Sequence, residues 1–442
     1  MNIQLSEHFS YKKLLSFTFP SVIMLIFTSI YGVVDGIFVS NFVGKTPFAA
    51  VNIVFPVLMI FGALGFMMGT GGCALIAKMM GEGNHKKANR TFSLIIYTSA
   101  ITGIIISVIG FIFIEQICTL LGAEGEILEY CVLYGRILLP FTTAFILQNE
   151  FQSFLVAAEK PQFGLFITVL AGVTNIVLDA LFVAVFRWGL TGAAFATGLS
   201  QLVGGIIPLL YFIFSKKSIL RLGGCKIDVR SLIKCCTNGS SEMMTNISMS
   251  LVNILYNFQL MKFAGEDGVA AYGVIMYVSF VFVAAFIGFS VGSAPIISYH
   301  YGAENTEELK NLRKKSSVII FAASLGMFIL AIVLSYPLAS IFVGYDDILF
   351  ELTRNAFIIY SISFLFSGFN IFGSAFFTAL NNGGVSATLS FLRTLLFQVV
   401  SVLLLPVFFG INGIWFSVVS AELSAFIMTI MFITGLKSKY NY

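Results

Sequence analysis

The chain has 442 residues, 58% of them hydrophobic and only 10% charged, with a mean hydropathy of +0.95 and a formal net charge of +4. A soluble globular domain carries roughly 25% charged residues, so this composition excludes a soluble enzyme or binding module. The basic residues lie in short loop clusters, which gives no basis for nucleic-acid binding.

Crossing the hydrocarbon core takes about 20 apolar residues per helix. Twelve such segments follow one another along the chain, predicting an all-α integral membrane protein. The first, 14–40, shows no small-residue cleavage site after its polar start, and it is expected to stay as a helix. It carries Pro20 and, fifteen residues later, Asp35 in Tyr31-Gly32-Val33-Val34-Asp35. A charge at the bilayer centre costs roughly 2.5–3.5 kcal/mol even on the lenient insertion scale, so Asp35 must be protonated, paired, or facing water or an ion.

Segments 47–71, 91–114 and 130–157 come next, the last bearing Asn149 and Glu150. Segment 163–187 holds Asn175 and Asp179, and a spacing of four puts both on one helical face. Segment 189–215 holds Thr197 and Gln201. A basic stretch, 216–237, then separates these six helices from a second six: 238–264, 268–295, 316–343, 351–380, 385–409 and 411–436. Arg393, the one cation deep in a helix, and Glu422 lie in the last two.

Lysine and arginine collect in alternate loops, around Lys12, Lys86, Lys160, Lys216, Arg313 and Lys437, whereas Glu124, Glu129, Glu266 and Asp346 mark the others. The positive-inside rule places both termini in the cytoplasm. The six cysteines form no disulfide framework, and the three histidines form no cluster with carboxylates, so no zinc site or cofactor is expected.

The two halves resemble each other at an offset of about 221 residues. Phe42-Val43-Gly44 answers Phe263-Ala264-Gly265, Gly81 answers Gly302, and Gly189-Leu190-Thr191-Gly192 answers Gly410-Ile411-Asn412-Gly413. A constant offset over many anchors signals a tandem repeat. Six helices per half give parallel repeats, with substrate bound between them. The expected organisation is an N-terminal lobe at 1–215, a cytoplasmic basic linker at 216–237 and a C-terminal lobe at 238–442.

Asp35, Asn175, Asp179 and Thr197 form the candidate cation site. Two carboxylates with an amide and a hydroxyl suit a hard cation such as Na⁺, or a proton held on one acid. The matching C-terminal positions, near Tyr256, Phe397 and Ser401, lack acids, which suggests a single site on one side. Tyr31, Met67, Asn149, Glu150, Tyr256, Met276 and Tyr277 are candidates for an adaptable drug cavity, with Met and aromatic groups suited to varied ligands. Glu150 has the alternative of snorkelling toward the cytoplasmic face. Gln201, Glu422 and Arg393 read as structural polar groups, Arg393 with a carboxylate or carbonyl partner.

Over its whole length the chain resembles the multidrug and toxic compound extrusion (MATE) family. The resemblance rests on Pro20 with Asp35, on Asn175, Asp179 and Thr197, on Gly81-Glu82-Gly83-Asn84 followed by Ala88 and Arg90, and on Lys160-Pro161. This is the pattern of the DinF-type branch. Gly239-Ser240-Ser241-Glu242 brings the chain near MepA-like bacterial exporters. It departs from the NorM-type branch, having no acid in the core of its tenth helix and Glu242 only near the end of the seventh.

The resemblance implies export of amphiphilic or cationic drugs across a bacterial cytoplasmic membrane in exchange for Na⁺ or H⁺. It also implies a cation held by Asp35, Asn175, Asp179 and Thr197, and a bend of the first helix at Pro20. Function as a monomer among membrane lipids is expected. A lipid-linked oligosaccharide flippase is the alternative within the superfamily, although its pyrophosphate would call for several deep cations. A membrane-embedded enzyme would need a nucleophile–base or metal constellation that the sequence does not offer.

Overall fold

The computed structural model describes residues 3–344 and 346–442. Among them the chain is helical throughout, without a strand. The N-terminal half comprises α1 (Tyr11–Phe38), α2 (Lys45–Gly81), α3 (His85–Leu120), α4 (Gly125–Leu138), α5 (Thr142–Ala157), α6 (Pro161–Asp179) and α7 (Gly189–Phe214). The C-terminal half comprises α8 (Val229–Gly302), α9 (Thr306–Val343), α10 (Asp347–Ser361), α11 (Phe364–Ala379), α12 (Gly383–Phe391), α13 (Phe397–Gly435) and the short α14 (Lys437–Tyr440). π-helical turns interrupt the pattern at Val39–Val43, Ala180–Val185 and Leu392–Leu396.

Among the described residues, nine helical stretches are long and apolar enough to cross a membrane, and the bent pair α10–α11 makes a tenth. Two of the nine are too long to cross once. α8 has 74 residues, which at 1.5 Å each is about 110 Å against a hydrocarbon core of about 30 Å. It breaks at Gly265, where φ is 61° and ψ −148°, a conformation only glycine adopts without strain. The stretch Gly383–Gly435 breaks likewise at Gly410, with φ 57° and ψ −137°. Each of these two therefore crosses twice, which brings ten spans to the twelve expected.

The packing divides unevenly along the membrane normal. At the end next to the basic loops, one continuous apolar core joins both halves, with Phe92, Phe154 and Phe212 from one and Ile296, Leu312 and Phe376 from the other. At the opposite end each half has a core of its own. Val54, Tyr134 and Val183 belong to the first, and Tyr256, Phe364 and Trp415 to the second. The lobes are thus closed on each other at the basic end and separate at the acidic end.

Glycines make the closed seam. A β-carbon at Gly239 would run into the Met67 carbonyl, and one at Gly71 into that of Cys235. Gly81 presses on the Tyr299 carbonyl and Gly302 on that of Lys78, a reciprocal pair at matching points of the repeat. Overpacking such a contact costs about 1–3 kcal/mol, which falls on the closed seam and not on either lobe alone. The Cys235 thiol, fully buried there and donating to the Met68 carbonyl at 3.5 Å, reports on it. In a Cys225→Ser, Cys236→Ser background, Gly239→Ala should raise maleimide labelling of Cys235 about tenfold. An unchanged rate would show that the seam does not hold the closed end.

Candidate functional site

The site is assembled from two stripes. α6 presents Gly172, Asn175 and Asp179 at i, i+3 and i+7, and α1 presents Phe27, Tyr31 and Asp35 at i, i+4 and i+8. They meet because Gly172 has no side chain. A β-carbon there would strike the rings of Phe27 and Tyr31. The close approach sets Asp35 beside Asn175 and Asp179. α7 supplies Thr197, whose hydroxyl donates to Asp35 Oδ1 at 3.4 Å. The structure therefore brings all four candidate cation ligands together.

Asp179 is fully buried, and among the described residues neither of its carboxyl oxygens meets a donor. The same holds for Asn175 Oδ1. Buried polar groups are ordinarily hydrogen-bonded, and an unpaired one costs several kcal/mol. Three buried oxygens without donors among the described residues are what a hard cation, or protons, would satisfy. Both acids adjoin backbone irregularities: the turn Ala180–Val185 begins right after Asp179, and Val39–Val43 one helical turn beyond Asp35. Such π-helical turns recur at functional positions in helices.

Two further residues join this site that the sequence pattern did not single out. Tyr134 of α4 is 2% exposed, lies beside Thr197 and is within electrostatic reach of both carboxyl groups. Gln148 of α5 lies against Tyr31, while its Oε1 has no donor among the described residues. Nothing local marks either one. Only the folded pairing of α4, α5 and α7 brings them in. Gly204 takes part in that pairing, since a β-carbon there would meet the Gln148 side chain.

Pro20 is buried within a continuous α1. The drug-cavity candidates scatter. Met67 lies in the closed seam, its carbonyl against Gly239. Glu150 is fully buried, near Ser99 of α3 and against Gly69 of α2, so it neither lines an open cavity nor snorkels to a surface. Helix packing encloses it on every side. Asn149 is also buried and donates to the Gly62 carbonyl at 3.4 Å. Tyr256, 1% exposed, is stacked on Tyr272 with centroids 5.2 Å apart and donates to Gln398 Oε1 at 2.9 Å, inside the core of the C-terminal lobe. Met276 packs partly buried on that lobe's core, Tyr277 is exposed, and Tyr31 and Gln201 are half-buried.

Arg393 has a definite partner. Its Nε donates to both carboxylate oxygens of Glu422, at 2.9 and 3.1 Å, and Nη2 stands 2.9 Å from Oε1. Asn370 Nδ2 donates to Glu422 Oε2 at 2.7 Å and to the Glu422 carbonyl at 2.8 Å, and Thr429 donates to Asn370 Oδ1 at 3.2 Å. Arg393 itself sits in the π-helical turn Leu392–Leu396. This network lies inside the C-terminal lobe, whereas Asp35 and Asp179 lie in the N-terminal one.

Two six-span lobes, closed at one end, with an oxygen-lined site inside one of them, define a multi-pass membrane transporter. The chain belongs to the MatE family, which matches residues 20–181 and again 243–404, once in each lobe. Among its relatives, the multidrug export protein MepA of Staphylococcus saprophyticus is 24% identical over 418 residues, covering 92% of this chain and 88% of that protein. MepA of Staphylococcus haemolyticus is 23% identical, covering 97% and 94%. Among solved structures, a multidrug resistance MATE family transporter of the MOP superfamily in an outward-facing conformation superposes with a TM-score of 0.91, at 24% identity and 98% of each chain. A MOP superfamily transporter from Pyrococcus furiosus gives 0.91 at 23% identity over the same shares. Family membership makes the chain a transporter and not an enzyme.

Proposed function

We propose that this chain exports amphiphilic or cationic small molecules by alternating access, driven by Na⁺ or H⁺ entering through Asp35, Asn175, Asp179 and Thr197. The observation that carries the reading is Asp179, fully buried beside Asp35 and, among the described residues, left without a donor. A cation between the carboxyl groups, or protons on them, supplies the missing charge. Each ligand shifts the equilibrium toward the conformation it binds better, so a cation arriving from outside and a drug from inside drive opposite steps. Pro20, which removes a helical hydrogen bond from α1, is the point at which that helix would yield when the charge at Asp35 changes.

In this reading both termini and the basic loops face the cytoplasm of a bacterial cell, and the structure stands in the outward-open state. The MepA relatives, described as multidrug export proteins, support the substrate class. Flippase activity on a pyrophosphate-linked sugar is the weaker alternative, because the deep cation Arg393 is already matched by Glu422.

Proteoliposomes loaded with a fluorescent cationic dye test this, with Na⁺ and H⁺ gradients imposed separately. Dye movement should follow one gradient or each. Movement indifferent to both would overturn the coupling.

A further inference from the structure

A groove of about 370 Å³ lies at the basic end, away from the buried acids. His85, Lys86 and Arg90 of α3 line it on one side, with Asn89 and Ser93 at its floor, and Arg221 of the interlobe linker closes the other. Among the described residues its lining contains no carboxylate. Loop cations that serve topology alone need no such construction, and here the backbone is strapped down to make it. Leu220 is fully buried and anchors the linker in the common core. Asn89 Oδ1 accepts the Arg221 N–H at 2.6 Å, and Ser93 Oγ accepts the Gly223 N–H at 3.0 Å. The Tyr97 hydroxyl donates to the Gly223 carbonyl at 3.1 Å. Arg221 Nε donates to the Ser218 carbonyl at 3.2 Å, fixing the guanidinium at the rim.

The groove also opens in a telling direction. The face of α3 that carries Tyr97 continues along the helix through Ile101, Ile104 and Val108. Tyr97 is 40% exposed, and Ile101, Ile104 and Val108 are 59%, 56% and 54% exposed. Ile101 lies about 12 Å along the helix from Ser93. Cations at the membrane edge thus lead into a lipid-facing apolar row.

We propose that this groove is a binding site for a phosphate group, filled by the headgroup of an anionic phospholipid whose acyl chain follows the apolar face of α3 through Ile101, Ile104 and Val108. Arg90 and Arg221 grip the phosphate, as guanidinium groups do. Basic pockets beside membrane helices take anionic headgroups for the same reason. Because the linker forms one wall, the lipid holds the linker to the N-terminal lobe. The proposal is independent of which cation drives transport.

Native mass spectrometry of the full chain, titrated with phosphatidylglycerol and with phosphatidylcholine, tests it. Wild type should retain phosphatidylglycerol preferentially. Arg90→Gln with Arg221→Gln should weaken that retention on the order of thirtyfold, since each of the two surface cations contributes about 1 kcal/mol toward an anionic lipid. The control Lys437→Gln with Lys439→Gln removes equal charge from the same end and should leave it unchanged. Equal loss in the control, or no loss in the arginine variant, would overturn the proposal. Melting temperatures in phosphatidylcholine nanodiscs, expected to match wild type, show that both variants are folded. If millimolar inorganic phosphate stabilises wild type in those nanodiscs, with no preference for phosphatidylglycerol, the lipid assignment falls and free phosphate is the ligand.

Discussion

Asp179→Asn should reduce gradient-driven dye efflux to the level of protein-free liposomes while leaving the protein as stable as before or more so. The two effects have one cause. Asp179 is fully buried, and among the described residues neither carboxyl oxygen has a donor. A carboxylate so placed costs the native state its desolvation, and a neutral amide of the same shape costs less. Leaving a buried polar group unsatisfied costs about 1–3 kcal/mol, more when charged, so stability should rise by up to that amount. If Asp179 only tied helices together, its loss would do the reverse. Asp35→Asn should also abolish efflux, with a smaller change in stability, because Asp35 already accepts from Thr197. Thermal melting beside dye efflux separates the cases. A destabilised variant with intact efflux would mean that the acid is structural, and full efflux from both variants would remove the site altogether.

The spans were legible because the bilayer imposes a length. Gly265 and Gly410 break the two longest helices at the positions where apolar runs end in the sequence. Each lobe's copy of the family matches where the offset repeat puts it. The cluster of Asp35, Asn175, Asp179 and Thr197 was legible because a polar side chain in an apolar helix stands out. What was not legible is how each helix is turned about its axis. These helices are apolar on all sides, so no stripe reveals which face meets a neighbour. Tyr134 is one aromatic among many until α4 packs against α7. Glu150 and Tyr256 were read as cavity residues on type alone, and their rotation buries both inside a lobe. The partner of Arg393 lies 29 residues away on α13, a pairing set by the chain turning back at Gly410, not by spacing.

That pair gives the second large effect. Arg393→Ala should lower stability by about 3–5 kcal/mol, because it leaves Glu422 buried and charged without its cation. Glu422→Leu should cost a similar amount by stranding the guanidinium. Arg393→Met with Glu422→Leu should recover most of the loss, since replacing a buried ion pair with apolar groups of like volume is often neutral or stabilising by about 1–4 kcal/mol. Asn370 supports the recovery. Its Nδ2 also donates to the Glu422 carbonyl at 2.8 Å, so it keeps a backbone acceptor when the carboxylate is gone. The double variant also separates structure from transport. With the pair acting only as glue inside the C-terminal lobe, it should melt near wild type and export dye at the wild-type rate. A stable double variant without efflux would make the C-terminal lobe a second ionic participant. The coupling would then rest on both lobes, and Asp35 and Asp179 of the N-terminal lobe would be only half of the machine.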